Sequence, residues 1–316
     1  MNSLPFLFAQ VANLVVIDQN KLTRRTRSVG IRQEVNRFAI DVLPSPKAGA
    51  LTVVVINQTV SLHLTFAAKP NASREISLFW YLSEGLTADN KLTIDSDTDA
   101  KLAFNAVVLD EGIKSDTFIE LTLKDRAEVD FALSYVGGAA ANATERVKLV
   151  GEDAVFRGHS LVVAHRQNQI VLDQKFEHLR PFTTSEVTNY AVANDQGKIR
   201  QEVVGKIHKG NHGSVCRQQN RGVILKEGGS IQVDPYLLID EYDVEAGHGA
   251  AVGQIDPDEL YYLQSRGLDE AMAKRLIITG YVKPLLDRFG YLPYGYYMEK
   301  QIERIIKGES PDGESF

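Results

Sequence analysis

The sequence predicts a mainly β protein, a solenoid-like body of short strands with a small helical domain at its C-terminal end. Three observations predict it. From about residue 35 to 255 apolar residues recur with a period near two, in short runs rich in Val, Ile, Thr or Phe and bounded by Gly, Asn, Asp or Pro. No convincing helical stretch interrupts these runs, which argues against a βαβ architecture, because that needs a crossover helix after most strands. After about residue 255 the pattern becomes helical and capped.

In chain order, residues 1–34 read as a loose N-terminal lead-in with one strand, Leu14 to Ile17. Residues 35–255 form the body, with strand runs beginning at Leu51, Ser61, Lys101, Phe118 and Ala127. So much strand is generous for one small sandwich, whereas short strands joined by polar turns suit coils stacked along an axis. Small residues at Gly137, Gly138 and Ala139 to Ala141, and at Gly228 and Gly229, fit tight corners. No strict repeat is visible, so periodicity alone leaves a sandwich or a barrel open beside the solenoid.

Residues 256–307 form the C-terminal helical domain. Asp256-Pro257-Asp258-Glu259 is a helix start: Asp256 caps free amides, Pro257 fits the first turn and Glu259 completes a capping box. The helix carries Leu260, Tyr261 and Leu263 and closes near Gly267. A second is expected from about Asp269 to Thr279, burying Ala271, Ala273, Leu276 and Ile277, with further helical pieces at 283–289 and 296–306. The tail, 308–316, is expected to be flexible.

Composition narrows the function classes. Hydrophobic residues at 44% and charged residues at 24% describe a globular chain, not a disordered one. A net charge of -6 gives no reason to expect nucleic acid, and the densest basic group, Lys21, Arg24, Arg25 and Arg27, reads as a solvated turn. The single cysteine, Cys216, excludes an internal disulfide. The N-terminal residues make a poor signal peptide and no apolar run reaches the roughly twenty residues that cross a bilayer, so no membrane association and a cytoplasmic location are expected.

Three groups of residues are candidates for function. His248 lies in Gly247-His248-Gly249-Ala250-Ala251-Val252-Gly253, where flanking glycines leave the ring free to meet a metal or a partner chain. The bland alternative is a histidine packed at the β-to-helix junction. His208, His212 and Cys216 are spaced by four, which invites a metal-site reading. On a strand, however, that spacing spreads the groups by about 13 Å, and a buried thiol beside surface histidines is the simpler account. The C-terminal region is rich in tyrosine: Tyr261, Tyr262, Tyr281, Tyr291 and Tyr294, with Arg266 among them. These residues form either a packed helical cap or a partner-docking surface. His63, His159, His165 and His178 form no motif. No nucleophile elbow, Walker A loop, dinucleotide fingerprint, H-E-x-x-H site or Cys-x-x-Cys pair occurs.

The ordered pair His248-Gly-Ala-Ala-Val-Gly253 and Leu260-Tyr-Tyr-Leu-Gln-Ser-Arg-Gly267, with the Ala271/Ala273 helix, resembles the SufB/SufD family of iron–sulfur cluster assembly scaffolds. Weaker echoes are Gly205-Lys-Ile207, Gln218-Gln-Asn220 and Asp234-Pro-Tyr-Leu-Leu238. The resemblance implies a right-handed parallel β-helix followed by a small helical domain. It implies a non-catalytic subunit that pairs with a SufB-like scaffold and docks a SufC-like ABC-type ATPase through its helical end. No tightly bound cofactor is implied in the isolated chain, only a transient iron–sulfur cluster at the heteromeric interface, with His248 facing it. A homodimer is the expected form of the chain alone. Where the SufB-like branch carries a glutamate after the junction histidine this chain has Gly249, and the position of its cysteine falls near Asn220, four residues past Cys216. Both departures place the chain nearer the SufD-like branch. Some SufD-like proteins are implicated in binding a reduced flavin with their partners, but no flavin motif stands here, and the chain looks short at its N-terminus. Two other function classes fit the residues alone: a solenoid carbohydrate-active enzyme using paired carboxylates in a groove, and a structural protein that self-associates through an exposed edge.

Overall fold

The structure is a computed structural model and describes residues 11–44, 49–56, 58–83, 85–287, 300, 303 and 304. Its strands run in chain order. The first six are β1 (Leu14–Asp18), β2 (Lys21–Arg24), β3 (Gly30–Glu34), β4 (Arg37–Val42), β5 (Leu51–Ile56) and β6 (His63–Ala68). Then come strands of ten residues each: β7 (Ser73–Leu82), β8 (Thr87–Ser96), β9 (Lys101–Asp110), β10 (Lys114–Leu123), β11 (Glu128–Gly137), β12 (Ala140–Leu149) and β13 (Val155–Ala164). The body ends with β14 (Gln169–His178), β15 (Thr184–Ala193), β16 (Lys198–Ile207), β17 (Val215–Ile224), β18 (Ser230–Ile239) and β19 (Glu245–Gln254). Two helices follow, α1 (Pro257–Ser265) and α2 (Glu270–Leu286).

From β4 onward successive strands alternate between two sheets. One sheet orders β19-β17-β15-β13-β11-β9-β7-β5-β1-β2, and the other β18-β16-β14-β12-β10-β8-β6-β4-β3. Pairing within each is parallel except at β1/β2 and β3/β4, so the body is the expected parallel solenoid, two strands to a coil. No sandwich arises, because each strand pairs with its counterpart one coil on. Alternate side chains fill the space between the sheets. Phe66, Phe104, Phe131, Phe156 and Phe176 stack there with successive centroids 4.9 to 6.5 Å apart.

The second sheet shows the simple alternation of a half-buried surface, as in β10 and β12. The first sheet does not. The C-terminal halves of β7, β9, β11, β13 and β15 are largely buried on both faces, and α2 packs on the outer side over β13 and β15. Ile278, Val282, Leu285 and Leu286 pack there against Leu161, Val163, Tyr190, Val192, Val223 and Leu225.

Three expectations need correction. The lead-in is not loose: β1 pairs in parallel with β5, and Leu22, Val29 and Ile31 close the first coil. α2 does not stop at Thr279 but continues through Gly280 and Pro284 to Leu286. Its buried face is Ala273, Ile278, Val282, Leu285 and Leu286, whereas Ala271 and Leu276 are exposed, since the face is set by the apolar stripe of the sheet beneath. The first helix begins as read: the Asp256 carboxylate accepts the Asp258 amide, and Gly267, at φ +94°, ends the segment after it. The expected helical piece at 296–306, the end of that at 283–289 and the tail at 308–316 lie outside the described residues, save 300, 303 and 304.

Candidate interface site at the C-terminal end of the solenoid

The two ends of the solenoid are built differently. At the N-terminal end β2 and β3 fold back antiparallel as outermost strands, and Arg74 donates to Ser28 O at 2.9 Å and to Ser28 Oγ at 2.7 Å, pinning the closing segment. At the other end β19 and β18 have no outer neighbour among the described residues. Every residue of β19 is exposed, and the inward residues of β18, among them Ile231, Val233, Pro235 and Leu237, are only half-buried. Two open strand edges and an apolar row therefore face outward together, an arrangement that isolated proteins usually blunt.

His248 occupies this mouth. Parallel in-register pairing keeps side chains of one row on one side of the sheet. The row runs Leu51, Ile76, Phe104, Phe131, Gly158, Val187, Gln218, His248. Its first six members line the interior, Gln218 is buried, and His248 is exposed only because no further coil covers it. The flanking Gly247 and Gly249 have open space where a Cβ would stand, on the face opposite the ring.

Behind the mouth the interior becomes polar. Where the N-terminal coils stack phenylalanine and leucine, the next row reads Leu78, Ala106, Leu133, then Ser160, Asn189, Asn220 and Ala250. Gln174 Nε2 donates to Glu145 at 2.7 Å, and Asn189 Nδ2 donates to Gln174 at 2.7 Å and to Asn220 at 2.8 Å. Asn220 Nδ2 in turn donates to Gly249 O at 3.1 Å. A continuous hydrogen-bonded chain thus joins the buried Glu145 to the residue beside His248. Burial raises the Glu145 carboxyl to about 7, with Gln174 and Arg146 opposing that shift. Sequence reasoning missed this network. Its only signal was amide residues at inward positions of strands, which becomes readable once the register is known.

The other candidates separate. Cys216 is fully buried, hydrogen-bonded to the Ser185 side chain, and burial raises its thiol above the ordinary value, so it is protonated at neutral pH. Gly205 faces it from the other sheet: a Cβ there would lie 2.4 Å from Sγ, which requires glycine. His212 is exposed against Phe182 and His208 lies 3.6 Å from Glu177, so neither joins the thiol. Among the described residues no group of three or more His, Cys, Asp or Glu is placed to hold a metal ion. His178 is buried between the hydroxyls of Thr183 and Ser185, each at 2.8 Å, and burial lowers it to about 4. Asn220, at the position read as the cysteine's place, is buried and points into the mouth's hydrogen-bond chain.

On the helices Tyr261 and Tyr262 stand 73% and 56% exposed, with the Arg266 guanidinium 5.2 Å from the Tyr262 ring centre. α1 buries none of its residues. Beside it Leu268, Met272, Arg275, Leu276, Thr279 and Glu303 line a cavity of about 350 Å³. Tyr281 belongs to the packing instead, edge-on to Tyr190 at 5.6 Å. Tyr291 and Tyr294 lie outside the described residues. No described helix is long and apolar enough to cross a membrane.

Residues 66–281 match the family model described as SUF system FeS cluster assembly, SufBD core domain. The chain is 27% identical over 233 residues to the iron-sulfur cluster assembly protein SufD of Bacillus subtilis, covering 73% of this chain and 51% of that protein. To SufD of Escherichia coli it is 27% identical over 154 residues, covering 48% and 36%. To an iron-sulfur cluster assembly SufBD family protein of Mycobacterium tuberculosis it is 28% identical over 191 residues, covering 59% and 22%. The chain spans about half the length of the first of these relatives and less of the others.

Proposed function

This chain belongs to the SufBD core family of the SUF system, on its SufD-like side, and from that premise we propose that it is a non-catalytic scaffold subunit of an iron–sulfur assembly complex. Its open solenoid end pairs with a SufB-like subunit, and its helical end docks a SufC-like ATPase that hydrolyses ATP. The observation that carries this reading is the mouth. Two strand edges without an outer neighbour among the described residues, an apolar row and the exposed His248 lie together on one end of a body whose other end is closed. Edge-to-edge pairing with a similar solenoid would satisfy the backbone groups of β18 and β19 and cover the row in one step. His248 would then face the partner's interior and offer one imidazole nitrogen to iron delivered there, the remaining ligands coming from across the interface. The exposed pair Tyr261 and Tyr262, with Arg266 and the neighbouring cavity, supports docking of a second partner at the helices. In the absence of a SufB-like chain the same mouth allows two copies to pair.

The test is co-purification with the SufB-like and SufC-like proteins of the same cell, comparing native chain with His248→Ala. The expected result is an unchanged complex with reduced iron and sulfide in the variant. Unchanged iron and sulfide would return His248 to a structural role, and failure of the native chain to form any complex would remove the scaffold reading.

A further inference from the structure

Far from the mouth, on the outer face of the second sheet, two cations and a histidine between them stand in one row. Arg37 of β4 is in register with His63 of β6, and His63 with Lys91 of β8. Neighbouring strands are about 4.8 Å apart, so the three side chains stand across from one another, with His63 between the two permanent cations. Several outer-face cations elsewhere meet a carboxylate. Lys101 meets Glu128 at 2.6 Å, Arg126 meets Asp99 at 2.7 Å and Lys226 meets Asp195 at 2.9 Å. In this row compensation is incomplete. Among the described residues no carboxylate lies within ion-pair distance of Arg37, and Lys91 shares Glu120 with Lys148, at 3.1 and 2.8 Å.

The row borders a groove of about 430 Å³, within the range of small-molecule sites. Arg32, Arg37, His63 and Lys91 line it, with Glu34 its one carboxylate, over a floor that includes Thr65 and Thr93. Those threonines are themselves in register on adjacent strands and offer hydroxyl donors in the row beside the cations. Burial holds His63 below its ordinary value, and Arg37 and Lys91 add to that shift.

We propose that this groove binds a small multivalent oxyanion of the oligophosphate class, with Arg37 and Lys91 gripping successive phosphate groups and His63 between them. The spacing of Arg37 and Lys91, two strand steps, suits a linear chain of phosphates better than a single one. A free oligophosphate and the phosphate chain of a nucleotide share this chemistry. The proposal does not rest on the assembly reading, because it concerns the opposite end of the solenoid and a different ligand.

The test is calorimetric titration of the full chain, alone, with inorganic phosphate, pyrophosphate, tripolyphosphate and ATP at low salt. Tripolyphosphate should bind at least about tenfold more tightly than phosphate. ATP matching tripolyphosphate identifies the shared chain as the ligand, and ATP binding more tightly adds a nucleotide contact. Arg37→Gln and Lys91→Gln should each weaken binding about tenfold with an unchanged circular dichroism spectrum, while Lys101→Gln on the other sheet should leave it within about twofold. In parallel, saturating tripolyphosphate should shift the NMR titration of the His63 ring upward, because a bound anion offsets Arg37 and Lys91. No binding by native chain, binding indifferent to Arg37→Gln, or an unmoved His63 titration would each overturn the proposal.

Discussion

The two ends of this solenoid solve opposite problems with the same coil. At the N-terminal end the antiparallel returns of β2 and β3, the plug of Leu22, Val29 and Ile31 and the Arg74 clamp on Ser28 close the core. At the C-terminal end the last strands have no outer neighbour among the described residues, and the interior has already changed from stacked phenylalanine to linked amides. A chain that needed only stability could repeat the closure. Leaving one end open costs stability and solubility, a cost that the proposed pairing would offset. The difference teaches that a partner surface is to be sought at the end the coil leaves open.

The largest expected contrast comes from one substitution at each end. Phe131→Ala removes a ring packed between Phe104 and Phe156 and should destabilise the chain by about 3–5 kcal/mol. Val252→Asp, on the mouth where the side chain is 43% exposed, should change the stability of the isolated chain by less than about 1 kcal/mol. The same substitution should abolish pairing with the SufB-like partner. Denaturant unfolding of each variant and pull-down of the partner read the two effects separately. A stability loss at Val252 as large as that at Phe131 would mean the mouth is core rather than interface.

Next in size is the pH dependence set by the polar interior. Unfolded, the Glu145 carboxyl ionises near 4.5; folded, it keeps its proton to about 7. The folded state therefore holds the extra proton across that window, so stability falls as pH rises from about 4.5 to 7 and stays lower above. The limit is about 3 kcal/mol. Glu145→Gln should remove this fall and raise the midpoint at pH 8 by several degrees. His178 acts on the other side. Its ring, lowered to about 4, stays neutral in the fold where the unfolded chain takes a proton near 6.5, so stability is lost as pH falls through that range. Thermal unfolding from pH 4 to 8 should show a maximum that moves upward in Glu145→Gln. A midpoint difference between native chain and Glu145→Gln that does not grow from pH 5 to 8 would mean the network tolerates the charged carboxylate.

How much of this was legible in the sequence depends on what each feature rests on. The period-two runs and the helix cap at Asp256 are local, and both were readable. The coil repeat was not, because its length drifts: Ser115 meets Ala141 at 26 residues, while Lys198 meets Ser230 at 32. Corner loops absorb the difference without disturbing the ten-residue strands, so no fixed period survives in the chain. The buried face of α2 was misjudged because Leu276 and Ile278 are equally apolar, and only the stripe of Leu161, Val163 and Val192 beneath decides between them. His248 stood out through its glycines, but Glu145, Gln174, Asn189 and Asn220 lie on four strands of two sheets and are brought together only by register.

The smallest expected effect concerns how the open edge is held. Arg217 on β17 pairs with Glu186 on β15 at 2.8 Å and with Glu245 on β19, so one guanidinium ties the terminal strand to the two coils behind it. All three side chains are largely solvent-exposed, so water and salt screen the pairs and they contribute little to global stability. Arg217→Gln should therefore leave the global midpoint almost unmoved. Its effect should be local, as faster amide hydrogen exchange along β19 and none along β9, because edge strands open without the whole core. High salt should reproduce the effect in the native chain by screening the pairs. If β19 exchanges no faster in the variant, backbone pairing with β17 alone holds the edge, and the mouth is then more rigid than its exposure suggests.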